Sequence, residues 1–189
     1  GLLACLAWGA WFQAVGSYAF AMVAVSLAGA IIAFLKFNFT PAKIFMGDTG
    51  SLMIGTVCSI LSIQYIEMSH ELPKESPLSF SAAPAITIAI LILPLFDTMR
   101  VFFRRMLAGR SPFHPDRTHI HHMLLDCGFS HMQSTGILIT VNLMFIILAV
   151  SLNFLGTLVL ISLEVLIAVG LTFVLDGMVK RHKPVVKTD

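Results

Sequence analysis

Long apolar stretches, interrupted by short polar ones, set the pattern of this chain. Six such stretches cover about residues 2–12, 17–35, 51–66, 83–99, 135–152 and 157–175. All but the first approach the roughly 17 to 20 residues that an α-helix needs to cross a hydrocarbon core. None alternates polar and apolar residues in the manner of a barrel strand, so helices are the spanning element that can satisfy the backbone inside lipid. The pattern predicts an all-α, polytopic transmembrane helix bundle. It would have about five full spans, a truncated first span, and a long polar loop over about residues 100–134 that carries a short helix.

Composition agrees. Of 189 residues, 57% are hydrophobic and 12% are charged, which excludes an ordinary soluble domain. The chain opens on Gly1 and is apolar from Leu2, without the charged segment that precedes a signal peptide's apolar core. It reads as a piece of a longer protein with its first helix clipped. Cys5, Cys58 and Cys127 are odd in number and form no C-x-x-C pair, so they read as small packing residues rather than a disulfide framework or zinc knuckle.

The net charge of +2 is small but unevenly placed. Lys36 and Lys43 lie in one polar segment. Arg100, Arg104, Arg105, Arg110 and Arg117 lie in a second, and Lys180, Arg181, Lys183 and Lys187 in the tail. If successive helices alternate direction, these segments share one side. The other side holds loop 67–81, with Glu67, Glu71 and Glu75 against Lys74, and the turn at 153–156. Lys74 is the single exception among the twelve Lys and Arg residues, and the positive-inside rule assigns the basic face to the cytoplasm. A multi-pass protein of the plasma (inner) membrane is expected, with its chemistry on that face and no nucleic-acid partner.

The long basic-side loop carries Phe102, Phe103, Phe113, Met123, Leu124, Leu125 and Phe129, more apolar surface than a disordered loop offers. Within it stands "PDRTHIHHMLLDCGF", residues 115–129, where Arg117, His119, His121 and His122 fall close together. Asp116 and Thr118 suit an N-cap and Gly128 suits a helix stop, so a short helix is expected over about 117–126. Its first turn would carry Arg117 and His119, with His121 and His122 just beyond. His119 and His122, three apart, would share a face. Free N–H groups and a positive dipole end favour an anion there, and cationic side chains add to the attraction. A metal site is the weaker reading, because H-x-H-H is not a standard zinc spacing. The plainest alternative is a set of histidines decorating a wet loop.

The second chemistry-bearing stretch is "PAKIFMGDTGSLMIG", residues 41–55. Asp48 sits among Gly47 and Gly50 where the third span begins, on the same side as the histidine loop. Glycines let a diphosphate or cation approach closely, Mg²⁺ bridges carboxylates to substrate phosphates, and Lys43 adds a point charge. Asp48 or Thr49 acting as a helix cap is the competing reading, and no G-K-[ST] follows the glycines as a P-loop would require. Asp97 lies three before Arg100, so a helical ion pair is available. Glu164, mid-span, should be protonated, paired or in a polar cavity. Trp8, Trp11, Tyr18 and Tyr65 fall near one boundary and read as an interfacial aromatic belt.

Taken together, "PAKIFMGDTGSLMIG", "SPFHPDRTHIHHMLLDCGF" and "PLFDT" (residues 94–98) resemble the polyprenyl-phosphate N-acetylhexosamine-1-phosphate transferases. "PDRTHIHH" is more similar to the undecaprenyl-phosphate GlcNAc-1-phosphate transferase branch than to its relative, the phospho-MurNAc-pentapeptide translocase. The resemblance covers nearly all of this chain but about the C-terminal half of a typical member. It implies that residues 1–189 form the C-terminal part of a single integral membrane transferase domain. The implied reaction is attack of a polyprenyl phosphate on a UDP-N-acetylhexosamine, most simply UDP-GlcNAc, with release of UMP in cell-envelope polysaccharide synthesis. Mg²⁺ is the implied cofactor, with Mn²⁺ as a substitute. Asp48 would be the metal residue. Asp48, His121 and His122 would form the catalytic set, a general-acid role being open for either histidine. Lys43, Arg117, His119, His121 and His122 would hold the sugar nucleotide. A homodimer is compatible with the family.

The family's two upstream acidic motifs are absent, so this stretch by itself is expected to be inactive. Two other readings remain: phospho-MurNAc-pentapeptide transfer, and, from another class, a transporter or channel fragment. The second suits Glu164 but not the gathering of polar residues at one membrane face.

Overall fold

A computed structural model describes residues 1–38, 42–109, 111 and 119–182. These form helices α1 (Leu2–Ala14), α2 (Tyr18–Asn38), α3 (Gly47–Glu71), α4 (Ala83–Ile90), α5 (Ile92–Leu107), α6 (Ile120–Asp126), α7 (His131–Ser151) and α8 (Thr157–His182), with a 3₁₀ turn at Asn153–Leu155. Helices α2, α3, α7 and α8 are each long and apolar enough to cross a membrane, and α4 with α5 makes a fifth if counted as one broken span. Helix α1 is apolar but has 13 residues. The chain is thus a multi-pass helical membrane protein.

The continuous span expected over 83–99 is corrected. The helix breaks at Leu91 and restarts at Ile92. Pro94 has no N–H to offer the Ile90 carbonyl four residues back, and its ring collides with that carbonyl in a straight helix. In the first turn of α5 the same proline is tolerated.

The chain divides into two compact units, Gly1–Ile90 and Leu91–Asp189. In the first, Gly16 turns the chain between α1 and α2 at φ +81, a conformation that suits glycine. Small residues then bring these helices close. A Cβ on Gly9 would meet the Ala24 Cβ at 3.3 Å, and Ala4, Ala21 and Ala28 are buried beside them, as expected where helices pack in lipid. The aromatic-belt reading is corrected for three residues. Trp8, Trp11 and Tyr65 are core residues, and Tyr18 alone of the four is exposed. Trp11 meets the Tyr65 ring edge-on at 4.7 Å and donates its Nε1–H to the Leu78 carbonyl at 3.0 Å. Ser69 Oγ accepts the Phe80 N–H at 3.1 Å. Two side chains from helices thereby hold the acidic loop.

In the second unit, Ser130 and Gln133 close a reciprocal capping box at the start of α7, which satisfies two otherwise orphaned N–H groups. Gly156, at φ +81, leads into α8. Met123, Leu124 and Cys127 of the α6 segment pack with Leu175 of α8, and Ile120, Phe129, Ile137, Leu138 and Val179 surround them. Arg104 of α5 pairs with Asp176 of α8 at 3.5 Å. Cys5, Cys58 and Cys127 are free and buried, as packing residues are.

Glu164 is 0% exposed, and neither carboxyl oxygen has a hydrogen-bond partner among the described residues. Burying such a group without a partner costs about 1–3 kcal/mol. Glu164→Leu, similar in volume, is therefore expected to stabilise the fold by about that amount. A rise in the thermal midpoint in detergent checks this; a fall would show that the carboxyl has a partner.

Candidate functional site

Asp48 is presented by the start of α3. Gly47 takes φ +66, where a side chain would be strained, and so lets the chain swing into the helix. Met46 occupies the N-cap without a side-chain cap bond. Asp48 lies in the first turn and is exposed. Its backbone carbonyl accepts Ser51 Oγ–H at 2.9 Å, while its carboxylate makes no hydrogen bond among the described residues. The capping reading of Asp48 and Thr49 is therefore corrected: the cap position belongs to Met46, and the Asp48 carboxylate is left for other chemistry. A carboxylate in a first turn suits the helix dipole. A Cβ on Gly50 would come within 2.7 Å of Met46 Cγ, so that glycine keeps the turn close. Lys43 is exposed, and its N–H donates to the Phe37 carbonyl at 3.0 Å, tying the approach to α3 back to the end of α2.

The histidine helix is shorter than expected. It spans Ile120–Asp126, with His119 as an extended N-cap rather than a first-turn residue. Arg117, like the proposed caps Asp116 and Thr118, lies outside the described residues. Its end is built as expected. Gly128, at φ +91, donates its N–H to Leu125 O at 2.9 Å, and the Phe129 N–H reaches Leu124 O at 3.3 Å. This is the paired closure that a glycine after the C-cap makes possible.

The helix's beginning overturns one expectation. Asp97 of α5 accepts the Ile120 N–H through Oδ1 at 3.0 Å and lies 2.8 Å from His119 Nδ1 through Oδ2. Arg100 holds Oδ1 at 3.3 Å, the anticipated i,i+3 ion pair. The anion that the helix N-terminus attracts is thus the protein's own carboxylate. Of the N–H groups at this helix start, that of Ile120 is thereby taken.

His121 turns toward α7. Its Nε2 lies 3.4 Å from His131 Nδ1, with the rings stacked at a centroid distance of 5.5 Å. The His122 ring is 5.9 Å away. Partial burial, then His131, then His122, lower the His121 pKa from its ordinary value. The folded chain therefore binds fewer protons at this position than the unfolded chain as the pH drops through about 6.5. Stability is present above that value and is lost below it. His131→Gln removes one cationic neighbour, so His121 is expected to titrate at higher pH and the acid loss to soften. NMR titration of the ring protons checks this; an unchanged midpoint would acquit His131.

Among the described residues, no group of three or more His, Cys, Asp or Glu side chains is placed to hold a metal ion. That excludes a closed all-protein cage in these residues. It fits the way Mg²⁺ binds, through one or two carboxylates with the remaining ligands from water and substrate phosphates. Asp48, exposed and without a hydrogen bond among the described residues, is a carboxylate that could serve in this way.

Two residues of this region carry more than the sequence assigns them. Asp97 reads in the sequence as a partner for Arg100 or a residue with a site role, within the "PLFDT" run, and its bonds to His119 and Ile120 are not legible there; His131 is not singled out by the sequence. The signal for His131 was the S-x-x-Q of Ser130 to Gln133 just after Gly128. That capping box starts a helix close behind the histidine helix and so brings His131 back toward it.

Residues 1–66, which include Asp48, match the model of a family described as glycosyl transferase family 4; the histidine helix lies beyond that match. The chain is 38% identical over 125 residues to the decaprenyl-phosphate N-acetylglucosaminephosphotransferase of Mycolicibacterium smegmatis, covering 60% of this chain and 29% of that protein. It is 42% identical over 122 residues to a probable undecaprenyl-phosphate N-acetylglucosaminyl 1-phosphate transferase of Bacillus subtilis, covering 65% and 32%. It is 32% identical over 143 residues to the undecaprenyl-phosphate alpha-N-acetylglucosaminyl 1-phosphate transferase of Escherichia coli K12, covering 71% and 36%. The chain spans about a third of the length of the curated relatives it matches. No solved structure matches it significantly. Over the matched residues the chain is similar to polyprenyl-phosphate N-acetylglucosaminyl-phosphate transferases, and its residues 1–66 carry the glycosyl transferase family 4 pattern.

Proposed function

We propose that this protein transfers N-acetylglucosamine 1-phosphate from UDP-N-acetylglucosamine to a polyprenyl phosphate at the cytoplasmic face of the plasma membrane, releasing UMP. The observation that carries this reading is the exposed carboxylate of Asp48, which makes no hydrogen bond among the described residues and is held in the glycine-bounded start of a membrane-spanning helix within the segment that the family pattern matches. The names of the relatives support the polyprenyl phosphate acceptor and the transferred N-acetylglucosamine phosphate.

In this reaction an oxygen of the lipid phosphate attacks the β-phosphorus of the sugar nucleotide. The bond to the bridging oxygen breaks, and its electron pair leaves on UMP. Asp48 would hold Mg²⁺ together with the substrate's phosphates, and the ion supplies neutralisation of the diphosphate charge. His121 and His122, with Arg117 and Lys43, supply N–H donors and positive charge to the phosphate oxygens, and His119 meets the sugar nucleotide through Nε2, which accepts a hydrogen bond when the ring is neutral. His121 and His122 are the candidates to pass a proton to the departing UMP phosphate. The aqueous mouth of a membrane protein suits this division, because the sugar nucleotide is soluble and the acceptor's chain stays in lipid.

The test is release of UMP by the intact protein in membranes supplied with polyprenyl phosphate and UDP-GlcNAc. Formation of a lipid-linked GlcNAc diphosphate is the expected result. UMP release with UDP-MurNAc-pentapeptide alone would move the protein to the other branch, and no release with either would overturn the reading.

A further inference from the structure

We infer that Asp97 is a positioning residue, which fixes His119 in one tautomer and one orientation so that Nε2 is the ring atom left open to substrate. The inference rests on the transferase reading for its consequence but not for its geometry. Asp97 uses both carboxylate oxygens on the same short segment. Oδ2 faces His119 Nδ1 at 2.8 Å, and Oδ1 takes the neighbouring Ile120 N–H at 3.0 Å. Arg100, four-fifths of a turn further along α5, holds Oδ1 at 3.3 Å, so the carboxylate is steered from its own helix.

A carboxylate only accepts hydrogen bonds. Nδ1 of His119 must therefore carry the proton that points at Asp97, and a neutral His119 has its lone pair on Nε2. Any further proton that this ring gains or gives passes through Nε2. The ring is placed to use that atom, since the His119 side chain is 43% exposed whereas Asp97 is 20% exposed. His119 holds the extended conformation usual for an N-cap, and from there its ring meets Asp97, 22 residues earlier in the chain. Asp97 thus does for His119 what a second carboxylate does for a metal-bound imidazole: it orients the ring and chooses its proton.

A purely structural cap would need only the bond to Ile120. The two roles separate in Asp97→Asn. The amide oxygen can keep accepting from Ile120, which leaves the amide NH₂ facing His119 Nδ1. An NH₂ donates, so the ring must offer a lone pair there and move its proton to Nε2. The experiment is ¹H–¹⁵N correlation of the histidine side chains in the intact protein, at a pH where the imidazoles are neutral, alongside steady-state UMP release. The wild type is expected to show His119 as the Nδ1–H tautomer and Asp97→Asn as the Nε2–H tautomer. With the switch, kcat/KM for UDP-GlcNAc is expected to fall about 10- to 100-fold. Asp97→Glu, which restores an acceptor-only partner, is expected to return the wild-type tautomer and part of the activity. An Nε2–H tautomer in the wild type overturns the inference, as does a switched tautomer with kcat/KM unchanged. If the wild type releases no UMP from any UDP-sugar, the transferase reading fails, and the spectra alone decide whether Asp97 governs His119.

Discussion

Asp48→Asn is expected to lower UMP release by about 10²–10³-fold or more while leaving the fold intact. The two halves of that statement have separate grounds. Asn keeps the size of the side chain and one carbonyl oxygen but removes the charge that would anchor a divalent cation against a diphosphate, and such electrostatic contacts are the largest contributors to transfers of this kind. The fold should scarcely respond, because the Asp48 carboxylate is exposed and makes no hydrogen bond among the described residues. What is lost structurally is a favourable term with the dipole of α3, about 0.3–1 kcal/mol. Measuring UMP release and thermal unfolding on one preparation tests both. An Asp48→Asn protein with more than a tenth of wild-type activity would remove Asp48 from the metal role. One that fails to fold would show that the carboxylate has a structural duty.

Trp11→Ala is expected to destabilise the protein by about 3–5 kcal/mol, the range for deleting a large buried aromatic. Trp11 packs on Phe12 and Tyr65 and pins the acidic loop through Leu78, so a cavity and a freed carbonyl appear together. Trp11→Phe retains ring volume and loses the bond to Leu78, for about 0.5–1.5 kcal/mol. Tyr18, which is 61% exposed, is the internal control. Tyr18→Ala should stay within about 0.5 kcal/mol. Denaturant midpoints in detergent distinguish this ranking from that of an aromatic belt, in which Trp11 and Tyr18 would respond alike.

The spans were legible because crossing lipid is a matter of length and apolar content, both carried by consecutive residues. α2, α3, α7 and α8 stand where the apolar runs are. The break at Leu91 was hidden by the same logic. Hydrophobicity continues unchanged through "AILILPLF", and only the missing N–H of Pro94 marks the interruption. The aromatic residues misled because interface and core draw on the same side chains. Trp11 differs from Tyr18 in what other helices bring to it, which no local pattern records. In the candidate site, the glycines around Asp48 and the stop at Gly128 announced themselves through backbone demands that few other residues meet. The occupant of the α6 N-terminus did not. Dipole reasoning called for an anion there, but Asp97 lies 22 residues away from His119 along the chain, and tertiary packing alone identifies it.

The buried cysteines carry a practical consequence for labelling chemistry. Cys5, Cys58 and Cys127 are all free and all buried, and burial together with Asp126 pushes the Cys127 thiol above its ordinary range. Nucleophilic attack needs an accessible thiolate, so the folded chain is nearly silent toward water-soluble maleimides as it stands. A thiol introduced on the acidic loop, or beside the exposed Leu107 at the end of α5, would then be the dominant reactive group. Its accessibility from one side of a sealed vesicle would reveal the chain's orientation without first stripping the native cysteines.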